Sequence, residues 1–290
     1  MIPATVDYVR PTTVDDALGA LAQGGEDAKV LAGGQSLIPL LRLRLAAPTL
    51  LVDLGAIGDL RGVREDGDDL VIGAMTTHAS VLADSLVARH APLLAQATAT
   101  VADRQVRNLG TIGGSLAHAD PAADLPAVAV ALDATLEVAG PQGRRSVAAA
   151  DFFVDYLTTA LEPGEALVAV RVPKLGGWLS HYEKFNRVAQ AWAVVGVAAL
   201  VRPDNGGIAE ARVALTNMGA TPVRASGVES ALAGSAADAG AVAAAAAHAT
   251  EGTSPTGDLS ASAEYRSHMA KVLTERAILA ALRGRGADAA

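Results

Sequence analysis

Residues 32–37 read AGGQSL, and residues 110–115 read GTIGGS. In each segment, two adjacent glycines are followed within two positions by a serine. A glycine can adopt positive φ angles and has no Cβ to hold a ligand away from the backbone. Successive backbone N–H groups can then point into one concave spot, and such a nest binds phosphate. The two segments together predict two contacts with a pyrophosphate, which suits a dinucleotide cofactor.

The glycine pairs also suit ordinary turns, but other nucleotide-binding and catalytic templates do not match the sequence. No G-x-G-x-x-G opens a helix, which disfavours a Rossmann dinucleotide fold, and no G-x-x-x-x-G-K-[ST] occurs. Neither an H-E-x-x-H zinc motif nor a G-x-S-x-G nucleophile elbow is found. His118, Asp120 and Asp124 lie close in sequence, but loop capping explains them more simply than a metal does. We therefore predict no metal site and no catalytic residue in this chain.

Composition limits the classes of function. The 290 residues suggest one large domain or two medium ones, and a hydrophobic content of 51% supplies material for a core. The net charge is −8, and no lysine and arginine block gives the basic footprint that nucleic-acid binding requires. The sequence contains no cysteine, which excludes disulfides, thiolate nucleophiles and iron–sulfur ligation by this chain. Any redox function therefore depends on a bound organic cofactor.

The sequence contains no recognisable leader or membrane segment. Residues 1–7 lack a basic start followed by an apolar run. No run of about 18 apolar residues occurs without a charge or a breaker. We therefore expect a cytoplasmic protein with no membrane span.

Strands and helices can be placed along the chain from apolar runs and turn residues. Thr13 is positioned to cap a helix that Gly24 and Gly25 end. Predicted N-terminal elements are strands at 29–31, 50–54, 70–74 and 166–172, a helical region at 80–100 broken near Pro92, and a strand pair around Asp133 within 128–138. The texture changes near Gly176. Predicted elements beyond it are strands at 182–185, 194–201 and 208–215 and helices at 225–232, 240–250 and 261–282.

Ordered motifs along the whole chain resemble one protein family. They occupy residues 32–39, 52–54, 72–77, 111–115, 120–127, 151–153, 182–185, 215–217 and 264–269. In this order and spacing they resemble the FAD-binding medium subunit of the molybdenum hydroxylase superfamily, which includes carbon monoxide dehydrogenase and xanthine dehydrogenase. One motif alone would be weak, whereas the ordered set is highly specific.

The resemblance implies an α+β fold in two domains. Residues 1–176 would form an FAD-binding domain of the vanillyl-alcohol oxidase (PCMH) type, with subdomains 1–57 and 58–176. Residues 177–285 would form a smaller α+β C-terminal domain with a three-stranded sheet and helices.

The resemblance also implies which residues bind FAD. The segments 32–37 and 111–115 would hold the pyrophosphate, and Asp124 would accept hydrogen bonds from ribityl or ribose hydroxyls, since an ionised carboxylate is only an acceptor. Lys184 would lie near the pyrimidine edge of the flavin, where a cation favours the anionic reduced form. Trp192 stands where relatives carry an aromatic residue over the isoalloxazine. The full set of expected FAD contacts is Ala32, Gly33, Gly34, Gln35, Ser36, Leu37, Thr77, Thr111, Gly113, Gly114, Ser115, Asp124, Leu167, Lys184 and Trp192.

Several of these residues have simpler explanations, and some depart from the family pattern. Without the resemblance, Asp124 equally suits a helix cap, Lys184 a solvated charge and Trp192 a core side chain. Ser115 stands in place of a frequent Asn, and Gln35 in place of a His found in some members. Both replacements keep a polar side chain at the FAD-binding segments. Residues 189–192, AQAW, replace the usual Gly-Asp-aromatic run.

In this family, substrate is oxidised at a molybdenum centre, bound as molybdopterin cytosine dinucleotide, in a large subunit. Electrons pass through two [2Fe–2S] clusters of a small subunit to the FAD, and then to NAD, a quinone or oxygen. The resemblance thus implies an electron-transfer subunit, within a dimer of heterotrimers. One alternative is a self-contained FAD oxidase that uses His78 or His118 as acid or base. Another is a non-redox scaffold on the same fold.

Overall fold

The computed structural model describes residues 2–284. The expected end of the C-terminal domain at residue 285 lies outside the described residues. The described chain folds into a small parallel sheet, a larger antiparallel sheet with helices, and a C-terminal sheet with helices. Among residues 2–284, no helix combines the length and apolar character needed to cross a bilayer.

The first unit is a three-stranded parallel sheet with strand order β1-β3-β2. Its elements are β1 (Asp7–Val9), α1 (Val14–Gly24), β2 (Ala28–Leu31), α2 (Leu37–Leu43) and β3 (Leu50–Asp53). Single 3-10 turns follow at Gly25–Asp27, Leu54–Ala56 and Gly58–Leu60. As predicted, Thr13 caps the start of α1, since its hydroxyl accepts a hydrogen bond from the Asp16 N–H, and Gly25, with φ of 63°, caps the end. The segment 32–37 therefore connects the end of a strand to the start of a helix.

The second unit is a five-stranded antiparallel sheet of order β4-β5-β10-β6-β7. Its strands, with those of a two-stranded hairpin, are β4 (Val63–Asp66), β5 (Asp69–Gly73), β6 (Thr135–Gly140), β7 (Gly143–Ala148), β8 (Phe153–Asp155), β9 (Thr158–Thr159) and β10 (Ala166–Pro173). Its helices are α3 (His78–Ala83), α4 (Ser85–His90), α5 (Pro92–Ala99), α6 (Arg104–Leu109), α7 (Ile112–His118), α8 (Asp124–Ala131) and α9 (Ala149–Phe152). The predicted break at Pro92 is confirmed, because Pro92 begins α5.

The prediction of a strand pair around Asp133 is wrong for its first half. Residues 124–131 form α8, and a turn at Asp133, with φ of 49°, leads into β6. Every residue of α8 is buried. A helix that is buried on all sides shows no polar face, so its apolar run lacks the period that distinguishes helix from strand.

The C-terminal unit is an antiparallel sheet of order β11-β12-β13-β14. Its elements are β11 (Leu179–Phe185), β12 (Val195–Asp204), β13 (Gly207–Thr216), β14 (Val223–Arg224), α10 (Ser226–Leu232), α11 (Ala239–Ala246), a 3-10 turn (Ala247–Thr250) and α12 (Ala263–Arg283). The three long strands and three helices agree with the prediction, and the two-residue β14 adds a short fourth strand.

The C-terminal sheet is packed on both faces. Val197, Ala199 and Leu215 point into a core shared with α10, α11 and α12. On the opposite face, Tyr182 and Leu200 join the core of the second unit. This packing places β11 beside α5, and places β12 and β13 beside α8. Side chains of β11 can therefore meet those of the FAD-binding domain predicted from the sequence.

Candidate FAD-binding site

A cavity of about 850 Å³ lies where the three units meet. Its volume falls within the range of about 300–1,000 Å³ that is usual for small-molecule and cofactor pockets. The expected FAD contacts that line it are Ala32, Gly33, Gly34, Gln35, Ser36, Leu37, Thr111, Gly114, Ser115, Asp124, Lys184 and Trp192. The fold thus brings the two glycine segments and two residues of the C-terminal unit to one space.

Three expected contacts, Thr77, Gly113 and Leu167, do not line this cavity. Thr77 instead caps α3, because its hydroxyl accepts a hydrogen bond from the Ser80 N–H at 3.2 Å. Gly113 lies in α7 against Ala74, the residue that follows β5, and an added Cβ would lie 2.5 Å from the Ala74 Cβ. Leu167 is a buried core residue of β10. Each of the three has a structural explanation that requires no ligand.

The segment 32–37 offers unpaired backbone donors to the cavity. Gly34 adopts a left-handed φ of 72°. Among residues 2–284, the N–H groups of Gly34, Gln35 and Ser36 have no acceptor. The Gln35 side chain folds back, with its Nε2 donating to the Gly33 carbonyl at 3.0 Å, and the Ser36 hydroxyl does not cap α2. Three consecutive unpaired amides fit the nest that the sequence predicts for a phosphate contact.

The two glycine segments touch each other at Gly33. A Cβ built on Gly33 would lie 2.2 Å from the carbonyl oxygen of Leu109 and 2.7 Å from the Cα of Gly110. Real Cβ atoms do not approach backbone this closely, so only glycine permits the contact. The glycine at this position therefore allows two walls of the cavity to lie in contact.

The segment 110–115 does not form the second nest that its glycine pair predicts. It follows α6, and residues 112–118 are already helical. Gly113 donates to the Ala74 carbonyl at 2.9 Å, and Ser115 to the Thr111 carbonyl at 3.0 Å. The Thr111 hydroxyl accepts from the Gly114 N–H at 3.1 Å. Because these amides are occupied, this segment supplies a close backbone surface and the Ser115 hydroxyl and not a second nest.

Asp124 and Lys184 form a buried ion pair on the cavity wall. The Lys184 Nζ lies 2.7 Å from Asp124 Oδ2, and the two side chains are 5% and 4% exposed. Lys184 also donates to the Thr100 carbonyl at 3.1 Å, and the Tyr182 hydroxyl donates to Asp124 Oδ1 at 2.7 Å. Burial raises the pKa of Asp124, and the Lys184 cation opposes that rise. Burial and the Asp124 charge hold the pKa of Tyr182 well above its usual value, so it remains a donor.

Two family models together match almost the whole chain. Residues 4–175 match the model described as the FAD binding domain in molybdopterin dehydrogenase. Residues 180–281 match the CO dehydrogenase flavoprotein C-terminal domain. The chain belongs to this family of molybdenum hydroxylase flavoprotein subunits.

Relatives of this flavoprotein subunit align over its full length. The carbon monoxide dehydrogenase medium chain of Hydrogenophaga pseudoflava is 43% identical over 284 residues, which cover 97% of this chain and 98% of the relative. Subunit alpha of the 6-hydroxypseudooxynicotine dehydrogenase complex of Paenarthrobacter nicotinovorans is 39% identical, covering 97% of this chain and 96% of the relative. A solved structure of the Hydrogenophaga pseudoflava enzyme, which lacks the Mo-pyranopterin moiety of its molybdenum cofactor, superposes with a TM-score of 0.95. It is 43% identical and covers 98% of this chain and 99% of that chain.

The cavity of this flavoprotein subunit fits FAD chemically. The free amides of 34–36 suit a diphosphate, since backbone N–H groups in a nest bind anions. Trp192 is 56% exposed, so it is a wall residue and not a core residue. The two residues that follow Trp192 are held by hydrogen bonds. Asn217 Nδ2 donates to the Ala193 carbonyl at 2.7 Å, and the buried Arg266 donates to the Val194 carbonyl. Among residues 2–284, no cluster of three or more His, Cys, Asp or Glu side chains could hold a metal ion.

Two residues of the site are missing from the FAD contacts expected from the sequence. His78 lines the cavity and is 4% exposed. Burial, and to a smaller extent the Arg107 charge, lowers its pKa to about 4, so the ring is neutral near pH 7. Tyr182 positions Asp124. The signal for Tyr182 is its spacing of two from Lys184, since such residues share one face of a strand. No sequence signal distinguishes His78 from an ordinary buried histidine.

Proposed function

We propose that this chain is the FAD-carrying electron-transfer subunit of a multisubunit molybdenum hydroxylase. The observation that carries this proposal is one cavity lined both by the free amides of residues 34–36 and by the Asp124–Lys184 pair. The match to an FAD-binding domain model supports FAD as the ligand of this cavity. The chemistry that bound FAD supplies is the acceptance and onward transfer of electrons, while the protein supplies position and electrostatics.

The chain's own residues would divide the binding task. The N–H groups of Gly34, Gln35 and Ser36 would hold the diphosphate, and the Ser115 hydroxyl would donate to it from the facing wall. Trp192 would cover part of the cofactor and exclude water from it. Lys184 would lie beside the flavin ring. Thr77, Gly113 and Leu167 would shape the cavity from behind its walls.

Other subunits complete the enzyme. Because this chain has no cysteine, it does not ligate [2Fe–2S] clusters itself. We propose that a small subunit carries the clusters and that a large subunit carries the molybdopterin cytosine dinucleotide. We propose a dimer of such heterotrimers, with NAD, a quinone or oxygen as external acceptor. The relatives are named for carbon monoxide and for 6-hydroxypseudooxynicotine. Since similar medium chains serve such different substrates, we propose that the substrate is selected in the large subunit.

We propose that the domain division follows the sheets. Residues 1–57 and 58–176 would be the subdomains of the FAD-binding domain, and residues from 177 onward the C-terminal domain. The parallel sheet, the five-stranded sheet and the C-terminal sheet fall into these three ranges. The division predicts that the cavity requires all three parts.

FAD reconstitution tests the proposed function. The full chain is incubated with FAD and freed of excess cofactor, and the flavin that remains is released by denaturation and quantified. We expect one FAD per chain, bound without a covalent link, and no hydroxylase activity from the chain alone. A colourless chain after reconstitution would contradict the proposal. Copurification of flavin, iron and molybdenum from the native source would extend the result to the complex.

A further inference from the structure

The Asp124–Lys184 pair joins two units of the fold inside the cofactor cavity. Asp124 is the first residue of α8, and Lys184 lies in β11 of the C-terminal unit. Their charged atoms are 2.7 Å apart, and both side chains are almost completely buried. The Tyr182 hydroxyl donates to Asp124, and Lys184 donates to the Thr100 carbonyl. Water therefore has little access to either charge.

A buried pair of this kind acts on its surroundings as one neutral unit. The field of a lone ammonium falls slowly where water is excluded, whereas an adjacent carboxylate cancels most of it. Glu165, another carboxylate on the cavity wall, is likewise paired, with the Arg145 guanidinium at 2.6 Å. A flavin in this cavity would therefore meet little net charge from either pair.

We infer that Asp124 sets the reduction potential of the bound FAD by neutralising Lys184, with Tyr182 holding the carboxylate in place. This inference rests on the proposed function, because it needs FAD in this cavity. It assigns Asp124 a positioning role that acts through Lys184, in addition to any contact with FAD. The family resemblance alone implies that the Lys184 cation favours the anionic reduced flavin, and the pairing with Asp124 removes most of that effect.

The inference predicts the direction of the change when the carboxylate is removed. In Asp124→Asn, the Lys184 cation is no longer cancelled, so it stabilises the anionic reduced flavin and the potential becomes more positive. We expect the ratio of the dissociation constants of oxidised and reduced FAD to rise about tenfold, which is about 30 mV for a two-electron couple. In the double variant Asp124→Asn/Lys184→Met both charges are gone, and the potential returns to the wild-type value.

The experiment measures the midpoint potential of FAD bound to the full chain by reductive titration against reference dyes. It compares the wild type, Asp124→Asn and the double variant. A matched control is Glu65→Gln/Lys174→Met, which removes an ion pair of 3.1 Å from residues outside the cavity wall. We expect this control to keep the wild-type potential. Thermal unfolding of each apo chain reports whether the variants fold.

The outcomes separate this inference from the proposed function. A wild-type chain that binds no FAD overturns both. A wild-type chain that binds FAD, with an unshifted potential in Asp124→Asn or a clearly more negative one in the double variant, overturns the inference alone. If Asp124→Asn fails to fold while the double variant folds, the pairing is supported, because only the uncompensated charge was harmful. Failure of both variants to fold overturns it.

Discussion

Gly33 is the residue at which the cavity walls meet, so it should be intolerant of any side chain. In Gly33→Ala the new methyl group would overlap the Leu109 carbonyl oxygen, at 2.2 Å. The segments must separate, which we expect to weaken FAD binding at least tenfold and to cost about 1–3 kcal/mol of unfolding free energy. FAD titration and urea denaturation measure the two effects.

Gly19→Ala is the matched control for this substitution. Gly19 lies within α1, and no atom lies within 4 Å of its added Cβ. Alanine there should stabilise the chain by about 0.5–1 kcal/mol, because glycine loses more backbone entropy in a helix. FAD affinity should not change. Wild-type affinity in Gly33→Ala would show that the two segments do not need their close contact.

His78 should make stability depend on pH. Its pKa is lowered from 6.5 to about 4 in the folded chain, mainly by burial. Between these pH values the unfolded chain binds a proton that the folded chain does not, so stability falls as the pH falls. Above about pH 6.5, His78 causes no change of stability with pH. Within the window, the loss of unfolding free energy approaches about 1.4 kcal/mol for each pH unit of acidification. Below about pH 4 both states are protonated and this contribution stops changing.

The measurement for His78 is urea denaturation of the wild type and of His78→Gln at several pH values between 7 and about 4. The Asp and Glu carboxylates titrate in both proteins. The difference between the two stability curves therefore isolates the contribution of His78. We expect the wild type to lose more stability on acidification than the variant. Parallel curves would show that His78 is not held neutral.

Part of the site follows from the residues of the sequence alone. The free amides at 34–36 follow from the glycine pair and the adjoining strand and helix. The Asp124–Lys184 pair does not follow, because the two residues are 60 positions apart and belong to different units. The saturated amides of Ile112 and Gly113 also could not be foreseen, since their acceptors, the Thr76 and Ala74 carbonyls, come from a separate segment.

At the scale of elements, ion pairs join both ends of α8 to the C-terminal sheet, and the first of these pairs also borders the cofactor cavity. Its first residue, Asp124, pairs with Lys184 of β11. Just beyond its last turn, Asp133 pairs with Arg212 at 3.0 Å and with Arg224 at 2.7 Å. The helix is therefore fixed to β11, β13 and β14. A loss of packing along α8 should therefore lower the free energy of unfolding of the whole chain.

Leu125→Ala tests this role of α8. Leu125 is 2% exposed, and removing its side chain should lower the free energy of unfolding by about 2–5 kcal/mol, because a cavity remains in the core. Leu259→Ala is the control, since Leu259 is 100% exposed and surface substitutions of this kind change stability by less than about 0.5 kcal/mol. Denaturant unfolding of both variants gives the comparison. Equal stabilities would mean that α8 is not part of the cooperative core.

Elements that carry a local sequence signal lie where the sequence predicts them. The cap at Thr13, the break at Pro92 and the C-terminal strand meander carry local signals, and each lies where predicted. The segment 128–131 carries only apolar residues, so helix and strand were indistinguishable there. Burial of α8 on all sides, which decides the outcome, is a tertiary property.

At the scale of the whole molecule, the cavity is a product of all three units. The nest at 34–36 follows the parallel sheet, Asp124 belongs to the helices of the second unit, and Lys184 and Trp192 come from the C-terminal unit. No single unit contains the site. FAD should therefore stabilise the assembled chain as a whole, because it binds the folded state and not the unfolded one.

The whole arrangement depends on FAD binding in this cavity with its diphosphate at the amides of residues 34–36. A crystal structure of the full chain grown with FAD would locate the cofactor. We expect one FAD per chain, with the Gly34, Gln35 and Ser36 N–H groups donating to phosphate oxygens and Lys184 still paired with Asp124. An FAD molecule bound elsewhere on the chain, or a diphosphate that leaves those N–H groups without contact, would contradict it.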